Sequence, residues 1–501
     1  MGSDFETKKR ATHVFPHGKN ARKDTDMERK NAWKNYTAKD EKAIEALAAG
    51  YIDFLSECKT ERECTARAIE LAREAGYISL DEARAAGAQL KAGDRVYAES
   101  FGKTVILVQL GKRPMEDGMN ILGAHVDSPR LDIKQNPLYE SNDLALLDTH
   151  YYGGIKKYQW VTLPLALHGV VVRKDGKTIE VNIGEAESDP VFCITDLLPH
   201  LGAEQLKKEG AKVIEGEALD LLVGSRPLVV SESAAKKAKD GTPEAVAANE
   251  PVRAQILKLL QDKYGIEEED FLSAELEVVP AGRARSCGLD QSMVLGYGQD
   301  DRVCAYTSLM AQLETGKLDR TAVCVLVDKE EIGSVGATGM TSMFFENTIA
   351  EIMALAGEEG DLPLRRALAN SHMLSSDVSA AYDPQFPKAF EPKNTAYFGR
   401  GLVFNKFTGS RGKSGSNDAN AEYVAKIRSI MEKGKVAYQT AELGKVDYGG
   451  GGTIAYVLAK YGMNVIDSGV AVLSMHSPWE VTSKADIYEA KKGYAAFLKF
   501  A

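Results

Sequence analysis

Residues 322–340 read AVCVLVDKEEIGSVGATGM, and this stretch constrains the fold more than any other part of the chain. Its first six residues are apolar and rich in valine, which is typical of a strand buried on both faces. Two adjacent carboxylates, Glu330 and Glu331, and a glycine-rich turn follow. Open α/β sheets bind ligands at the carboxyl ends of such strands, and neighbouring residues of extended chain point to opposite sides. The stretch therefore predicts an α/β fold in which one carboxylate binds a cation and the other acts on water.

Other metal-binding side chains follow apolar runs elsewhere in the chain. Together with the two glutamates they form the set His125, Asp300, Glu330, Glu331, Asp377 and His476. Imidazoles and carboxylates without cysteine suit a pair of divalent ions such as zinc, manganese or cobalt. Two ions need a bridging carboxylate and two further ligands each, so five ligands with one bridging Asp leave a spare Glu as the base. Each residue alone also fits a structural or solvated position, and only their shared placement predicts a metal site.

Length and charge exclude several classes of protein. A chain of 501 residues predicts at least two domains, and its net charge of −10 argues against general nucleic-acid binding. No run approaches the roughly 18 apolar residues that span a bilayer, and the N-terminus lacks the apolar core of a secretory signal. Six scattered cysteines without a CxxC pair are typical of reduced thiols. We therefore expect a cytoplasmic protein that binds neither membrane nor nucleic acid.

The sequence pattern changes along the chain, which predicts three parts. Residues 1–36 are polar and basic, and we expect an N-terminal arm there. Residues 37–133 and 286–501 contain the apolar runs that end in candidate ligands, so we assign both segments to one catalytic domain. Residues 134–285 lack that signature, and we interpret them as a second domain inserted at a surface loop of the first.

The inserted segment is predicted to be rich in strands. Two β-rich runs around an Asp-Gly turn at residues 162–183 predict a hairpin. Apolar residues with helical spacing at 194–201 and 255–264 predict two helices, separated by polar connections.

Five short motifs occur in a fixed order that spans most of the chain: GAHVDSPRLD, GQDDRVCAY, VDKEEIGS, SSDVSAA and SMHSPWE. Together they resemble the aspartyl aminopeptidase family of dinuclear metallopeptidases. The resemblance implies a zinc-aminopeptidase-like catalytic domain, with a mostly parallel or mixed sheet flanked by helices, plus an inserted β-rich dimerisation domain. It also implies an enzyme that removes the N-terminal residue of peptides with a water activated by two metal ions.

The resemblance assigns the metal ligands residue by residue. One ion would be held by His125, Asp300 and Asp377, and the other by Asp300, Glu331 and His476. Asp300 would bridge the two ions. Zinc is the expected metal, with manganese and cobalt as alternatives.

The resemblance also implies roles for three further residues. Glu330 would be the general base, which takes a proton from water and returns it to the leaving amine. Asp127 would orient the imidazole of His125. In the family the insert forms dimers that assemble into a tetrahedral dodecamer, and the match places His200 where the insert reaches the active site of a partner subunit.

Substrate preference depends on a local cation, because a buried carboxylate without a partner is costly. Lys406 is our candidate, since it lies in a cationic stretch between Asp377 and His476. A preference for peptides with N-terminal Asp or Glu is therefore expected. The alternatives are a broad-specificity or neutral-residue aminopeptidase, a deacylase with similar metals, and a non-catalytic assembly or cargo protein.

Overall fold

The computed structural model describes residues 29–231, 233, 238–239, 241–411 and 414–501. Its α-helices span Ala38–Glu57, Glu61–Glu74, Leu80–Ala85, Pro243–Val246, Pro251–Tyr264, Gln299–Leu313, Phe344–Leu355, Asp361–Ala369, Ala421–Gly434, Ala455–Ala459 and Lys484–Phe500. Its strands are β1 (Ile78–Ser79), β2 (Arg95–Ser100), β3 (Thr104–Gln109), β4 (Asn120–His125), β5 (Arg130–Ser141), β6 (Leu144–Tyr152), β7 (Leu165–Val172), β8 (Thr178–Ile183), β9 (Leu221–Gly224), β10 (Ala274–Pro280), β11 (Arg285–Cys287), β12 (Met293–Gly296), β13 (Ala322–Val327), β14 (His372–Ser376), β15 (Ser379–Ala380), β16 (Leu402–Asn405), β17 (Tyr438–Thr440), β18 (Asn464–Gly469), β19 (Ala471–Leu473) and β20 (Glu480–Ser483).

Part of the predicted N-terminal arm, residues 1–28, lies outside the described residues. The described end of that segment forms a short 3₁₀ turn, Ala32–Asn35. The Ala32 amide donates to the Gly399 carbonyl at 2.6 Å, so this part of the segment packs against the rest of the chain.

The largest sheet has nine strands in the order β1-β2-β3-β13-β4-β14-β18-β16-β17. Its central strands β13, β4, β14 and β18 are parallel. Every residue of β13 and β4 is buried, as their apolar sequences predict for strands covered on both faces. Val327 pairs with His125 in register, so both strands end at the same edge of the sheet.

Helices cover both faces of this sheet. Leu122 and Leu326 belong to one hydrophobic core, together with residues of the helices Gln299–Leu313 and Lys484–Phe500. Their neighbours Ile121 and Val325 face the other core, which includes residues of the helix Phe344–Leu355. Alternate side chains of a strand point to opposite faces, and both faces here are apolar, which explains the continuous hydrophobic runs in the sequence.

A second sheet contains six strands in the order β8-β7-β10-β5-β6-β9. Its neighbouring strands are all antiparallel, and β7 and β8 form the predicted hairpin. Its separate core includes Trp160, Leu167 and Val278. The sheet is joined to the central one shortly after His125, because β5 begins at Arg130.

A third, five-stranded sheet has the order β11-β12-β20-β19-β15. Its antiparallel strands β19 and β20 are joined by the connection that contains His476. Strand β12 leads into the helix Gln299–Leu313 that begins beside Asp300. This sheet therefore positions two of the predicted ligands.

One local prediction is wrong. Residues 194–201 form turns and irregular chain, not a helix. Pro199 explains the difference, because it lacks an amide hydrogen and disfavours helical geometry at the residue before it. Three of the apolar residues that suggested a helix instead face solvent: Leu197 is 54% exposed, Leu198 50% and Leu201 69%. Among the described residues, no helix is both long and apolar enough to cross a membrane.

Candidate metal centre

The predicted ligands and the predicted base meet at one edge of the central sheet. His125 is the last residue of β4, and Asp377 directly follows β14. Glu330 and Glu331 begin the 3₁₀ turn Glu330–Ile332 just after β13. Ligand atoms of His125, Glu330 and Asp377 lie within 4.8 Å of one another, as do those of His125, Asp300 and Glu331.

A tight approach of the chain positions Asp300. The preceding Gly298 has φ +71°, and a Cβ there would lie 2.0 Å from an Arg302 nitrogen and 2.9 Å from the Ser128 hydroxyl. Only glycine fits this left-handed, crowded position. The Ser128 hydroxyl donates to the Asp300 carbonyl at 2.6 Å. These contacts fix the start of the helix and hold the Asp300 carboxylate at the sheet edge.

Asp300 lies between the two imidazoles. Its Oδ1 is 3.3 Å from Nε2 of His125, and its Oδ2 is 3.2 Å from Nε2 of His476. Nε2 of His476 also lies 3.6 Å from Oε1 of Glu331. One carboxylate thus presents a separate oxygen to each of two ligand groups, which is the arrangement of a bridging ligand.

The opposite nitrogen of each imidazole faces a backbone carbonyl. Nδ1 of His125 is 3.0 Å from the backbone carbonyl oxygen of Asp127, and Nδ1 of His476 is 2.8 Å from the backbone carbonyl oxygen of Gly154. In the neutral ring the hydrogen then sits on Nδ1, which leaves the lone pair of Nε2 directed at the carboxylates. Ligands about 2.0–2.2 Å from zinc in tetrahedral geometry lie roughly 3.3 Å apart, so these separations fit a shared cation.

Unpaired carboxylate oxygens support the same fit. Oδ1 of Asp300 and Oε1 of Glu331 are buried and have no hydrogen-bond partner among the described residues. Buried carboxylate oxygens without a donor are costly, and a divalent cation removes that cost. The donor set of imidazole and carboxylate groups is the one that zinc, manganese and cobalt accept.

Asp127 holds the loop of Glu330 and Glu331 in place. Its Oδ1 accepts the Glu330 amide and its Oδ2 accepts the Glu331 amide, each at 3.1 Å. Oδ1 also lies 3.3 Å from Nδ1 of His125. Asp127 is fully buried. It therefore links the ends of β4 and β13 and orients side chains from both, which is the placement expected of the group that orients His125.

Burial and charge shift the pKa values of these groups. Burial raises the pKa of Glu330 to about 7, and the carboxylates of Asp127 and Asp300 act in the same direction. Burial alone would raise the pKa of Asp300, but its contacts with His125 and His476 hold it below the ordinary value. Imidazole and carboxylate groups bind a metal ion in their deprotonated forms, so the metal affinity of this site should fall as the pH falls.

Two acidic residues of the site were not recognised from the sequence. Asp301 accepts the His125 amide at 3.3 Å and groups with Asp300 and Asp377, yet the sequence indicated only a helix start. Glu480 accepts the amides of His476 at 2.9 Å and of Asp300 at 3.2 Å. It joins the two loops that present these ligands. Its place in the SMHSPWE motif was the available signal.

A cavity of about 1200 Å³ opens at the metal centre. Its acidic lining residues are Asp300, Glu330, Glu331, Asp377, Glu442 and Asp467. Its apolar lining includes Phe407, Leu443, Val446 and Tyr456. Among the described lining residues, the basic side chains are Lys156 and His476. The cavity is thus acidic and partly apolar.

Lys406 and His200 are not brought to this cavity within one chain. Lys406 forms an ion pair with Asp418 and lies over the Phe407 ring, 4.0 Å from its centre. Its side chain is 43% exposed, and it is absent from the described lining. His200 lies in the exposed chain of residues 195–201. Lys413, in the same cationic stretch as Lys406, lies outside the described residues.

The comparisons with known proteins agree over nearly the whole chain. The family model described as "Aminopeptidase I zinc metalloprotease (M18)" matches residues 54–498. A relative from Clostridium acetobutylicum, named probable M18 family aminopeptidase 1, is 59% identical over 471 residues, which are 94% of this chain and 98% of the relative.

Solved structures show the same fold. The crystal structure of the M18 aminopeptidase from Thermotoga maritima matches with a TM-score of 0.88 at 40% identity, over 95% of this chain and 100% of that one. The S. cerevisiae mApe1 dodecamer matches with a TM-score of 0.70 over 91% of this chain and 97% of that one, at 20% identity, which shows the fold alone. The predicted α/β, zinc-aminopeptidase-like fold is confirmed. The chain belongs to the M18 family of zinc metallopeptidases and is an aminopeptidase.

Proposed function

We propose that this aminopeptidase uses two divalent metal ions that share Asp300. The observation that carries the proposal is the position of the two Asp300 oxygens, each facing Nε2 of a different histidine. His125 and Asp377 would complete one site, and His476 and Glu331 the other. Zinc is the proposed metal, with manganese and cobalt as alternatives.

Glu330 is the proposed general base. When bound, the ions supply Lewis acidity, which lowers the pKa of water and polarises the peptide carbonyl. The Glu330 carboxylate accepts the proton of the attacking water and returns it to the nitrogen of the leaving amine. Asp127 keeps Glu330 in position through the Glu330 amide. The acidic wall of the cavity suits the free α-amino group of the substrate.

The cavity supports a preference for uncharged N-terminal residues. The charges of Asp300, Glu330, Glu331 and Asp377 would be balanced by the two ions. That leaves Glu442 and Asp467 against Lys156 in the described lining, an acidic excess that would repel an acidic substrate side chain. Lys406, the candidate partner for such a side chain, is instead paired with Asp418. A preference for Asp or Glu is the second candidate function, and it requires Lys406 to exchange Asp418 for substrate, or Lys156 to take over that contact.

A panel of aminoacyl-anilides tests both candidates. We expect the zinc-loaded protein to hydrolyse Leu, Met or Ala derivatives with higher kcat/KM than Asp or Glu derivatives. Higher kcat/KM for Asp and Glu would reject the uncharged preference. Zinc titration into apoprotein, followed by calorimetry, tests the metal count, and saturation at one ion per chain would contradict the shared site.

We also propose that residues 134–285 form a dimerisation domain and that dimers assemble further, into a tetrahedral dodecamer. Leu197, Leu198, Leu201 and Leu206 are all at least half exposed around His200, and an interface would bury them. The mApe1 relative of known structure is a dodecamer. Light scattering should give a mass far above the 54.4 kDa of one chain. A monomer would refute the assembly.

A further inference from the structure

The end of strand β6 reaches into the metal centre from the second sheet. The Tyr152 hydroxyl donates to Oδ2 of Asp127 at 2.8 Å. The carbonyl of Gly154 accepts Nδ1 of His476 at 2.8 Å. Between them, Gly153 lies so close to Glu331 that a Cβ there would be 3.2 Å from its Oε2. Three consecutive residues thus contact three different groups of the site.

We infer that residues 152–154 are a positioning element of the metal centre, supplied by the second sheet. This inference rests on the proposed metal site. None of the three residues would bind metal. They act through Asp127, Glu331 and His476, whose orientation decides whether the ligands converge.

Tyr152 completes the hydrogen bonds of Asp127. Oδ2 of Asp127 accepts from Tyr152 and from the Glu331 amide, while Oδ1 accepts from the Glu330 amide. Asp127 is fully buried, so water cannot replace a lost donor. Removing the phenol oxygen would leave Oδ2 with one donor and allow the carboxylate to rotate. Because both amides of the loop of Glu330 and Glu331 depend on this carboxylate, that rotation would move the loop.

The Tyr152 ring packs against the side chain of Arg130. The Arg130 guanidinium lies over the ring, 3.9 Å from its centre. Arg130 is in turn paired with Asp132 at 2.8 Å and with Glu277 at 3.1 Å, both in the second sheet. The second sheet therefore fixes the position of the ring, and the Tyr152 hydroxyl points at Asp127. This rigidity is what a positioning group requires.

The two glycines explain how the chain comes this close. Gly153 has φ +74°, in the left-handed region that favours glycine. Its hydrogen leaves room for the Glu331 side chain, and the next carbonyl turns toward His476. An alanine at Gly153 would be strained and would also press on Glu331.

The test measures zinc affinity in two variants, each with a matched control. Tyr152→Phe keeps the ring beneath Arg130 and removes only the hydroxyl. Its control is Tyr139→Phe, which removes a similar hydroxyl that donates to Asp220 at 2.7 Å in the same sheet, away from the site. Gly153→Ala is matched by Gly176→Ala, a glycine with φ +83° and open space around its Cβ position.

Apoprotein of each variant is titrated with zinc against a chromophoric chelator, and the unfolding midpoint of the apoprotein is recorded. We expect Tyr152→Phe and Gly153→Ala to bind zinc about 10- to 100-fold more weakly than wild type, as is typical when a partner of a metal ligand is lost. The controls should bind within about twofold of wild type.

The outcomes separate this inference from the proposed function. If wild type binds no zinc, the metal site itself is wrong. If wild type binds zinc and both variants match their controls, the positioning element is refuted. A purely structural tyrosine would lower the unfolding midpoint without changing zinc affinity, and that result also refutes it. Should Tyr152→Phe fail to fold, Gly153→Ala against Gly176→Ala decides the question.

Discussion

Glu330→Gln separates proton transfer from metal binding at this site. The substitution keeps the size of the side chain and removes its ability to accept a proton. The bridging contacts of Asp300 with the two histidines do not involve Glu330, so zinc content should stay at the wild-type level. Catalysis should fall sharply, since no other group of the proposed mechanism takes the proton of the attacking water.

The structure suggests the size of the loss. The Glu330 carboxylate lies 4.0 Å from Nε2 of His125, and its side chain is only 15% exposed, so bulk water has limited access to the reacting groups. Loss of a positioned general base costs about 100- to 10,000-fold in rate, or about 2.7–5.5 kcal/mol of transition-state stabilisation. Because ground-state binding is unaffected, kcat and kcat/KM should fall together while KM stays constant.

The base must also be ionised when it acts. In the absence of metal, burial raises the pKa of Glu330 to about 7. Bound cations favour the carboxylate and lower this value, so the loaded enzyme should have an ionised base at neutral pH. In wild type kcat/KM should rise with pH to a plateau whose midpoint lies below about 7.

The assay combines steady-state kinetics with elemental analysis. Glu331→Gln is the informative neighbour, because it should lower zinc content as well as activity. Glu346→Gln, a carboxylate that accepts the Tyr461 hydroxyl outside the cavity, is the control and should leave both unchanged. Glu330 also lies close enough to His125 and Asp377 for the three to share one ion, so the zinc content of Glu330→Gln distinguishes a ligand from a base. Loss of zinc in Glu330→Gln, or activity within a few-fold of wild type, would refute the assignment.

Three further predictions concern other parts of the molecule. Burial and two neighbouring cations, Lys426 and Arg320, lower the pKa of His372 to about 4. The unfolded chain therefore takes up a proton at a higher pH than the folded chain, and stability falls as the pH drops from about 6.5 toward 4. The unfolding midpoint of His372→Gln should fall less between pH 7 and 5 than that of wild type. Lys406→Met should change kcat/KM for Asp and Glu substrates by less than about twofold if the ion pair with Asp418 persists. A tenfold loss would instead support a preference of the wild-type enzyme for acidic N-terminal residues. Mixing His200→Phe chains with Glu330→Gln chains should regain activity if His200 acts across a subunit interface, and an inactive mixed assembly would contradict that role.

The sequence predicted those parts of the site that follow buried strands. β13 is apolar throughout and β4 is apolar over residues 121–124, and His125, Glu330 and Glu331 end or follow these runs, so the strand pattern placed all three at the sheet edge. Parallel pairing then brings them to one edge, as expected for an open α/β sheet. Asp377 was found by the same reasoning. These positions depend on local sequence and on one general rule of sheet geometry.

The contacts that cross between sheets were not predictable in the same way. Tyr152 sits at the end of an antiparallel strand whose sequence resembles that of other half-buried strands. Its contact with Asp127 joins residues 25 positions apart and depends on how two sheets meet. Glu480 likewise joins loops that are distant in the chain. Nothing in the local spacing of such residues distinguishes them from ordinary packing.

Lys406 illustrates the limit for charged loops. The sequence identified a cluster of cations between two ligands, but the partner of a flexible lysine depends on the nearest carboxylate in three dimensions. Asp418, twelve residues later, forms an exposed ion pair with Lys406 across the loop, and Lys406 is not among the described lining residues of the cavity. The run of charges along the chain therefore does not determine toward which group the Lys406 side chain points.

The point of insertion gives the second sheet its influence on the metal centre. The chain leaves the central sheet just after His125 and returns to the site just before Asp300, so a proposed ligand lies at each junction. Arg130, near the first junction, and Tyr152, at the end of β6, connect the second sheet to Asp127 through a cation–π contact and a hydrogen bond. An interface formed by this sheet would therefore act on the same rigid unit that orients the ligands.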